Sequence, residues 1–124
     1  MRITGLDHLV LTVADIDATC DFYGHILGMT RESFAGGRTA LKFGNQKFNL
    51  HQAGREFEPK ADKPVPGSAD ICLIVDDVSA AEKKLNDRGV EIIDRGPRTG
   101  AKGEIISIYC RDPDGNLIEL SEYK

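Results

Sequence analysis

Several features common in binding proteins are missing from this sequence. No run of lysines or arginines occurs, and acidic residues outnumber basic ones by 20 to 16, which argues against a nucleic-acid partner. The apolar runs are too short to cross a bilayer, and the N-terminal residues lack the basic-then-apolar pattern of a signal peptide. We therefore expect a cytoplasmic protein with no membrane and no nucleic-acid partner.

Cysteine and aromatic residues are also scarce. The three cysteines, Cys20, Cys72 and Cys110, are far apart and surrounded by apolar residues, and no pair has the spacing of a thiolate zinc site. We predict that all three are reduced, buried thiols that pack as small hydrophobic side chains. Tryptophan is absent and aromatic residues make up 6% of the chain, which disfavours a ligand cleft built from aromatic rings.

What the sequence does contain is a repeat. The length of 124 residues fits a single domain, residues 1–124. An alternating strand at 5–13 leads to Asp15, and a second alternating strand at 68–75 leads to Asp77, 62 positions later. Each aspartate stands where a helix N-cap is expected, and a glycine follows each predicted helix.

Each half is predicted to contain a strand, a helix and three strands, in modules at about 4–53 and about 68–123. A polar, proline-containing connector joins the halves, and residues 95–103 are predicted to form a loop rich in glycine and cationic side chains. One such module cannot close a core, whereas two can. We predict an α+β fold of two paired β-α-β-β-β modules that form a cupped mixed sheet, with the helices outside.

Four polar side chains fall on the strand faces opposite the apolar stripes. His8 matches Asp70 at an offset of 62, and His51 is matched with Glu119 at an offset of 68. On a duplicated, concave sheet these side chains would converge. Two imidazoles and two carboxylates suit a divalent ion such as Zn, Ni, Mn, Fe or Co, and a cation relieves the repulsion between the carboxylates. We predict that all four residues bind a metal ion.

Four further residues are candidates for contact with a substrate. Asn49 shares the strand face of His51, and Tyr109 is a nearby acid or base. Arg98 and Lys102 lie in the predicted cationic loop, where they either bind an anionic group of a substrate or are simply solvated.

Three segments, at 6–13, 21–29 and 111–120, resemble the vicinal oxygen chelate superfamily, which includes glyoxalase I, extradiol dioxygenases and bleomycin-binding proteins. The most specific of them is the hairpin Asp112-Pro113-Asp114-Gly115 with Glu119 in its second strand. Residues 48–52 and 64–73 are most similar to small glyoxalase-domain-containing proteins of the protein 5 type. The resemblance covers almost the whole chain.

The resemblance implies a divalent metal held by the first and last strands of each module, and a homodimer. His8, His51 and Glu119 match the family's ligand types, whereas Asp70 stands where many relatives carry histidine. Asp70 is then either a fourth ligand or a residue behind the ligands, which leaves a set of two histidines and one carboxylate.

The implied activity is that of a metal-dependent lyase or isomerase, similar to lactoylglutathione lyase. Its substrate would be a small oxygenated metabolite, such as a thiol conjugate or an anionic compound. Glu119 is the predicted proton-transferring residue and Asp70 the second candidate. The alternatives are an Fe(II) extradiol-type dioxygenase, although relatives with that activity are mostly longer, and a non-catalytic drug-binding protein of the bleomycin-resistance type.

Overall fold

The repeat predicted from the sequence is present in the structure, a computed structural model that describes all residues from 1 to 124. The chain divides into two compact units, Met1–Pro66 and Gly67–Lys124, and each contains one predicted module. In each unit a strand and a helix are followed by three further strands. The predicted α+β fold with two β-α-β-β-β modules is therefore confirmed.

The first unit contains four strands and one helical segment. Its strands are β1 (His8–Val13), β2 (Thr30–Phe34), β3 (Arg38–Phe43) and β4 (Gln46–Gln52). Helix α1 (Ile16–Cys20) continues directly into a π-helical stretch, Asp21–Ile26. The sheet has the order β1-β4-β3-β2, in which β1 and β4 are parallel and the other neighbours antiparallel.

The second unit has the same order of elements. Its strands are β5 (Asp70–Ile74), β6 (Asp94–Gly100), β7 (Gly103–Arg111) and β8 (Leu117–Tyr123), and its helix is α2 (Val78–Asp87). The sheet has the order β5-β8-β7-β6, with β5 and β8 parallel. The two sheets thus have equivalent topologies.

Both helices begin at the aspartates that the repeat identified. The carboxylate of Asp15 accepts a hydrogen bond from the backbone N–H of Ala18 at 3.0 Å, and that of Asp77 accepts one from Ala80 at 3.0 Å. Each bond satisfies one of the free amides in the first helical turn. The predicted N-caps are confirmed, and neither helix has the length and apolar composition that a membrane span requires.

The core of the first unit lies between the helical segment and the apolar face of the sheet. Leu11 of β1 lies opposite Leu50 of β4, and both side chains are at most 5% exposed. Tyr23 is fully buried and packs edge-on against Phe48, with 5.7 Å between the ring centroids. Alternation along the strands therefore leaves the opposite face of this sheet available for polar side chains.

The core of the second unit follows the same pattern. Leu85 of α2 is buried, as are four side chains on one face of the two central strands, Ile108, Cys110, Ile118 and Leu120. Alternation again assigns the residues between them, including Ser107 and Glu119, to the other face.

The prediction of a loop at 95–103 is wrong for most of these residues. Residues 94–100 form β6 instead. The reason is pairing with β7, which sets Pro97 opposite Ile106 and Arg98 opposite Ile105. An edge strand tolerates glycine and proline because one of its sides needs no ladder hydrogen bonds.

The prediction of three buried thiols is wrong for one of them. Cys20 and Cys110 are buried, but Cys72 is exposed. Its neighbours Ile71 and Leu73 point towards the helix side of β5, so alternation places Cys72 on the polar face.

Candidate functional site

The polar side chains selected from the sequence lie on the sheet faces that the helices do not cover. In the first unit, Val10 lies opposite Asn49 and Thr12 opposite His51. In the second unit, Cys72 lies opposite Glu119. The predicted alternation of the site-bearing strands is confirmed.

The strand registers nevertheless change the correspondence between the two halves. His8, the first residue of β1, lies opposite Lys47, while Asp70, the first residue of β5, lies opposite Leu117. Two residues further along each pair of strands stand Asn49 and Glu119. Asn49, and not His51, therefore occupies the position equivalent to Glu119, and His51 is equivalent to Ser121.

The predicted equivalence of His51 and Glu119 is thus wrong by two residues. Side chains along a strand alternate with a period of two, so a shift of two residues leaves each side chain on the same face. Alternation in the sequence predicts the face of His51 correctly and cannot detect this shift.

His8 and His51 do not stand side by side in the first unit. His51 lies opposite Thr12, four residues beyond His8, which corresponds to about 13 Å along the strand. No group of three or more His, Cys, Asp or Glu side chains lies close enough to hold a metal ion. The metal site formed by His8, His51, Asp70 and Glu119 stays a prediction.

Each unit offers one pair of donor side chains at equivalent positions, namely His8 with Asn49 and Asp70 with Glu119. The members of each pair lie on neighbouring parallel strands, on one face, and two residues out of register. This offset is about 7 Å along the strand, within the reach of side chains that lean towards each other.

His8 and Asn49, the pair in the first unit, each have an atom that can bind a ligand or a cation. The Oδ1 atom of Asn49 is buried and has no hydrogen-bond partner. A buried acceptor left in this way costs roughly 1–3 kcal/mol, which a donor or a cation on this face would recover. His8 lies with Nδ1 2.8 Å from the carboxylate of Asp7, which accepts the Nδ1–H hydrogen bond, so that in the neutral ring the lone pair is on Nε2.

His51 lies in a more enclosed environment than His8. Its residue surface is 6% exposed, and its ring packs against Phe57 with 5.7 Å between the centroids. The guanidinium of Arg38 lies 4.4 Å from the centre of the same Phe57 ring. Burial and the nearby positive charge of Arg38 lower the pKa of His51, although the carboxylates of Glu56 and Glu58 act in the opposite direction. The neutral imidazole is therefore favoured.

In the second unit, Glu119 is held by two buried hydroxyl groups. Ser107 donates to Oε2 of Glu119 at 2.6 Å, and Ser121 lies 3.3 Å from the same oxygen. The two serine hydroxyls are 2.7 Å apart and both residues are completely buried. These contacts fix the orientation of the carboxylate on the polar face of the sheet.

The two serine hydroxyls compete as donors in this network. Each has one hydrogen to donate. Ser107 makes the shorter bond to Oε2 of Glu119, and the hydrogen of Ser121 is shared between the same oxygen and the Ser107 hydroxyl. The thiol of Cys72 lies 3.3 Å from the Ser121 hydroxyl and extends the network along the polar face.

Of the predicted substrate-binding residues in this unit, the structure groups two near Glu119. Tyr109 lies opposite Glu119 in the β7–β8 ladder, and its hydroxyl accepts a hydrogen bond from Arg98 at 3.0 Å. Burial raises the pKa of the Tyr109 phenol, against the effect of the Arg98 hydrogen bond. Arg98 also forms an ion pair with Asp94 at 3.1 Å.

Lys102 is not brought to this cluster. It lies in the turn before β7, seven residues before Tyr109, which corresponds to about 23 Å along the extended chain. Its backbone N–H donates to the hydroxyl of Tyr123 at 3.1 Å. Lys102 therefore does not lie beside Glu119, and its contact with a substrate stays a prediction.

Four residues that contact the predicted ones were missed in the sequence: Arg38, Phe57, Ser107 and Ser121. The serines share the strand alternation of Glu119, so their face was predictable, but a small hydroxyl residue in a strand carries no signal of its own. Arg38 is the first residue of β3 and Phe57 lies in the connector, and only the folded chain brings them together.

Comparison with known proteins identifies the family and several relatives of this chain. Residues 5–120 match the family described as the Glyoxalase/Bleomycin resistance protein/Dioxygenase superfamily. The chain is 54% identical over 127 residues to the glyoxalase domain-containing protein RDO1 of Mycosarcoma maydis, covering 100% of this chain and 71% of that protein. The crystal structure of virulence protein STM3117 from Salmonella typhimurium superposes with a TM-score of 0.98 at 52% identity, over 100% of both chains.

More distant relatives carry the names of enzymes. A probable lactoylglutathione lyase of Synechocystis sp. is 28% identical, covering 91% of each chain. An ethylmalonyl-CoA/methylmalonyl-CoA epimerase of Cereibacter sphaeroides is also 28% identical, covering 94% of this chain and 96% of the epimerase.

Proposed function

Because the chain belongs to the Glyoxalase/Bleomycin resistance protein/Dioxygenase superfamily, we propose that it is a divalent-metal-dependent lyase or isomerase of the glyoxalase type. The observation that carries the proposal is the pair of donors at equivalent positions in each unit, His8 with Asn49 and Asp70 with Glu119. The distant relatives named as a lyase and an epimerase support it.

The donor chemistry fits a borderline divalent ion such as Zn, Ni, Mn, Fe or Co. His8 offers an imidazole nitrogen, Asp70 and Glu119 offer carboxylates, and Asn49 offers a carbonyl oxygen that lacks a donor. We propose His8, Asp70 and Glu119 as metal ligands. His51 stands four residues from His8 in register, so its predicted role as a ligand rests on the sequence alone.

When bound, the ion supplies Lewis-acid stabilisation of negative charge that develops on substrate oxygens. The chain's own residues hold and transfer the proton. We propose Glu119 as the proton acceptor, because Ser107 and Ser121 orient its carboxylate, and Asp70 as the second candidate. Asn49, Tyr109 and Arg98 are the proposed contacts to a small oxygenated substrate, and a homodimer is the proposed assembly.

Metal analysis tests the first part of the proposal. Purified protein is incubated with a mixture of divalent metals, dialysed exhaustively and analysed by inductively coupled plasma mass spectrometry. We expect wild-type protein to retain a metal and His8→Ala and Glu119→Gln to lose most of it. His25→Ala is the matched control, since His25 is an exposed helix residue 3.7 Å from Asp21. Absence of bound metal in wild type would contradict the proposal and favour a small-molecule-binding protein.

An activity screen tests the second part. The metal-loaded protein is assayed with the hemithioacetal of methylglyoxal and glutathione, and in parallel with catechols. Isomerisation that is lost in Glu119→Gln supports the glyoxalase-type reaction. Ring cleavage of a catechol, dependent on Fe(II), would instead establish the dioxygenase alternative.

A further inference from the structure

The two serine hydroxyls beside Glu119 both contact the same oxygen of its carboxylate. The hydroxyl of Ser107 lies 2.6 Å from Oε2, and that of Ser121 lies 3.3 Å from it. Neither hydroxyl contacts Oε1 instead. The carboxylate is therefore held asymmetrically, by one of its two oxygens.

Burial distinguishes these two hydroxyls from the other groups near the carboxylate. Ser107 and Ser121 are completely buried, so water cannot replace them as donors to Oε2. Burial raises the pKa of the Tyr109 phenol, and a hydrogen bond with Glu119 adds to that effect. Tyr109 is only partly buried, however, and its hydroxyl also accepts a hydrogen bond from Arg98. The serines are thus the donors from which solvent is excluded.

The equivalent position in the first unit has no such pair of donors. Asn49 is equivalent to Glu119, and His51 is equivalent to Ser121. The ring of His51 packs against Phe57, and Oδ1 of Asn49 is buried without a hydrogen-bond partner. The duplicated fold therefore forms without hydroxyl donors at this place. The serines belong specifically to the half that carries the carboxylate.

We infer that Ser107 is a positioning residue that makes Glu119 bind the proposed metal ion through Oε1 alone. Each carboxylate oxygen has about two acceptor sites, and the two serine hydroxyls point at those of Oε2. An ion on Oε2 would leave a buried hydroxyl without its acceptor, which is unfavourable. An ion on Oε1 leaves both serine contacts intact.

This inference rests on the proposed function and deepens it. A carboxylate that binds through one oxygen occupies one coordination position, whereas a bidentate carboxylate occupies two. A catalytic metal site must keep a position open for the substrate. By holding Oε2, Ser107 would keep such a position free and fix the direction of the ligand.

The test is a titration of the metal-free protein with Co²⁺, followed by its visible absorption. The absorption gives the dissociation constant, and its intensity per bound ion reports the coordination geometry. We expect Ser107→Ala to weaken Co²⁺ binding by about ten-fold or more, the usual cost of losing a group that orients a metal ligand. The intensity per bound ion should also fall, because the freed Oε2 raises the coordination number.

Three further variants separate positioning from a loss of stability. Ser107→Thr keeps the hydroxyl and should bind Co²⁺ within about three-fold of wild type. Cys110→Ala removes a buried side chain from the opposite face of β7, so it should lower stability and leave the affinity and the spectrum unchanged. Ser79→Ala removes an exposed hydroxyl from α2 and should change none of these quantities.

The possible results distinguish this inference from the proposed function. If wild type binds no Co²⁺, both are wrong. If wild type binds the ion and Ser107→Ala binds it equally well, the inference alone is overturned. Equal weakening in Ser107→Ala and Cys110→Ala would overturn it as well, because the effect would then follow from stability. A loss of affinity without a change in the spectrum would rule out binding through Oε1 alone. Far-UV circular dichroism confirms that each variant is folded.

Discussion

The Ser107 hydroxyl is the group that most directly sets the position of Glu119. It is fully buried and donates to the carboxylate at 2.6 Å. We expect Ser107→Ala to lower the free energy of unfolding by about 1–3 kcal/mol, because a buried hydrogen bond to a charged group is lost. Chemical denaturation in urea measures the change.

Ser33→Ala is the matched control for this substitution, since Ser33 is an exposed residue of β2. It should change the stability by no more than about 0.5 kcal/mol. Equal effects of the two variants would show that the contact of Ser107 with Glu119 contributes nothing to stability.

The three cysteines differ in both exposure and pKa. Burial raises the pKa of Cys110 to about 11 and also raises that of Cys20, so neither thiol is ionised or accessible near neutral pH. Cys72 is exposed, although desolvation raises its pKa as well. Alternation along β5 separates Cys72 from the other two thiols, because it places Cys72 on the face opposite Ile71 and Leu73.

Alkylation with iodoacetamide followed by mass spectrometry tests this difference. In the native protein at pH 8, Cys72 should be modified first, at a rate below that of glutathione measured alongside. The rate should rise with pH as the thiolate fraction grows. All three cysteines should react once the protein is unfolded in urea. Modification of native Cys110 as fast as Cys72 would contradict the assigned burial.

At the scale of elements, the sequence predicted those whose signals are local. Asp15 and Asp77 begin the helices as expected, and the strands with alternating apolar residues form. The strand β6 was missed because its residues, which include Gly96 and Pro97, have low strand propensity. Its formation depends on pairing with β7, a contact that no local pattern in residues 94–100 announces.

The start of β5 is joined to the β7–β8 turn by backbone contacts that require a glycine. Gly67 has a φ of 83°, and a Cβ atom there would collide with the backbone carbonyl oxygen of Asp114. Nearby, the side chain of Asn116 accepts a hydrogen bond from the backbone N–H of Ala69 at 2.8 Å. The turn and the strand therefore approach too closely for any side chain at position 67.

Comparison of two glycine substitutions separates this collision from backbone strain. Gly115 has a similar φ of 88° but open space around its Cβ position. Gly115→Ala should cost about 1–2 kcal/mol from the left-handed conformation alone. Gly67→Ala should cost about 1–3 kcal/mol more, because the chain must also move. Equal urea midpoints for the two variants would rule out the close approach as a source of the requirement.

At the scale of the whole molecule, duplication in the sequence predicted more than any single motif. It identified the two modules, their helix caps and the strand faces that carry His8, Asp70 and Glu119. It did not fix which residue of β4 is equivalent to Glu119 of β8, since a shift of two residues in the alignment of the repeat preserves alternation. The neighbours Arg38 of His51 and Ser107 of Glu119 lie on the preceding strand of the same hairpin, and the register of that hairpin decides which side chains meet.

Metal binding should also change the stability of the whole chain, which gives a test independent of catalysis. A ligand that binds only the folded state at 100 times its dissociation constant stabilises it by about 2.7 kcal/mol. For a chain of 124 residues this corresponds to a rise in melting temperature of roughly 10 °C. We expect Zn²⁺ or Ni²⁺ to raise the Tm of wild type and of His25→Ala, and a chelator to reverse the rise. His8→Ala and Glu119→Gln should respond weakly, since each lacks a proposed ligand. A rise of equal size in all four proteins would mean that the metal binds elsewhere on the surface, and the ligand assignment would then be wrong.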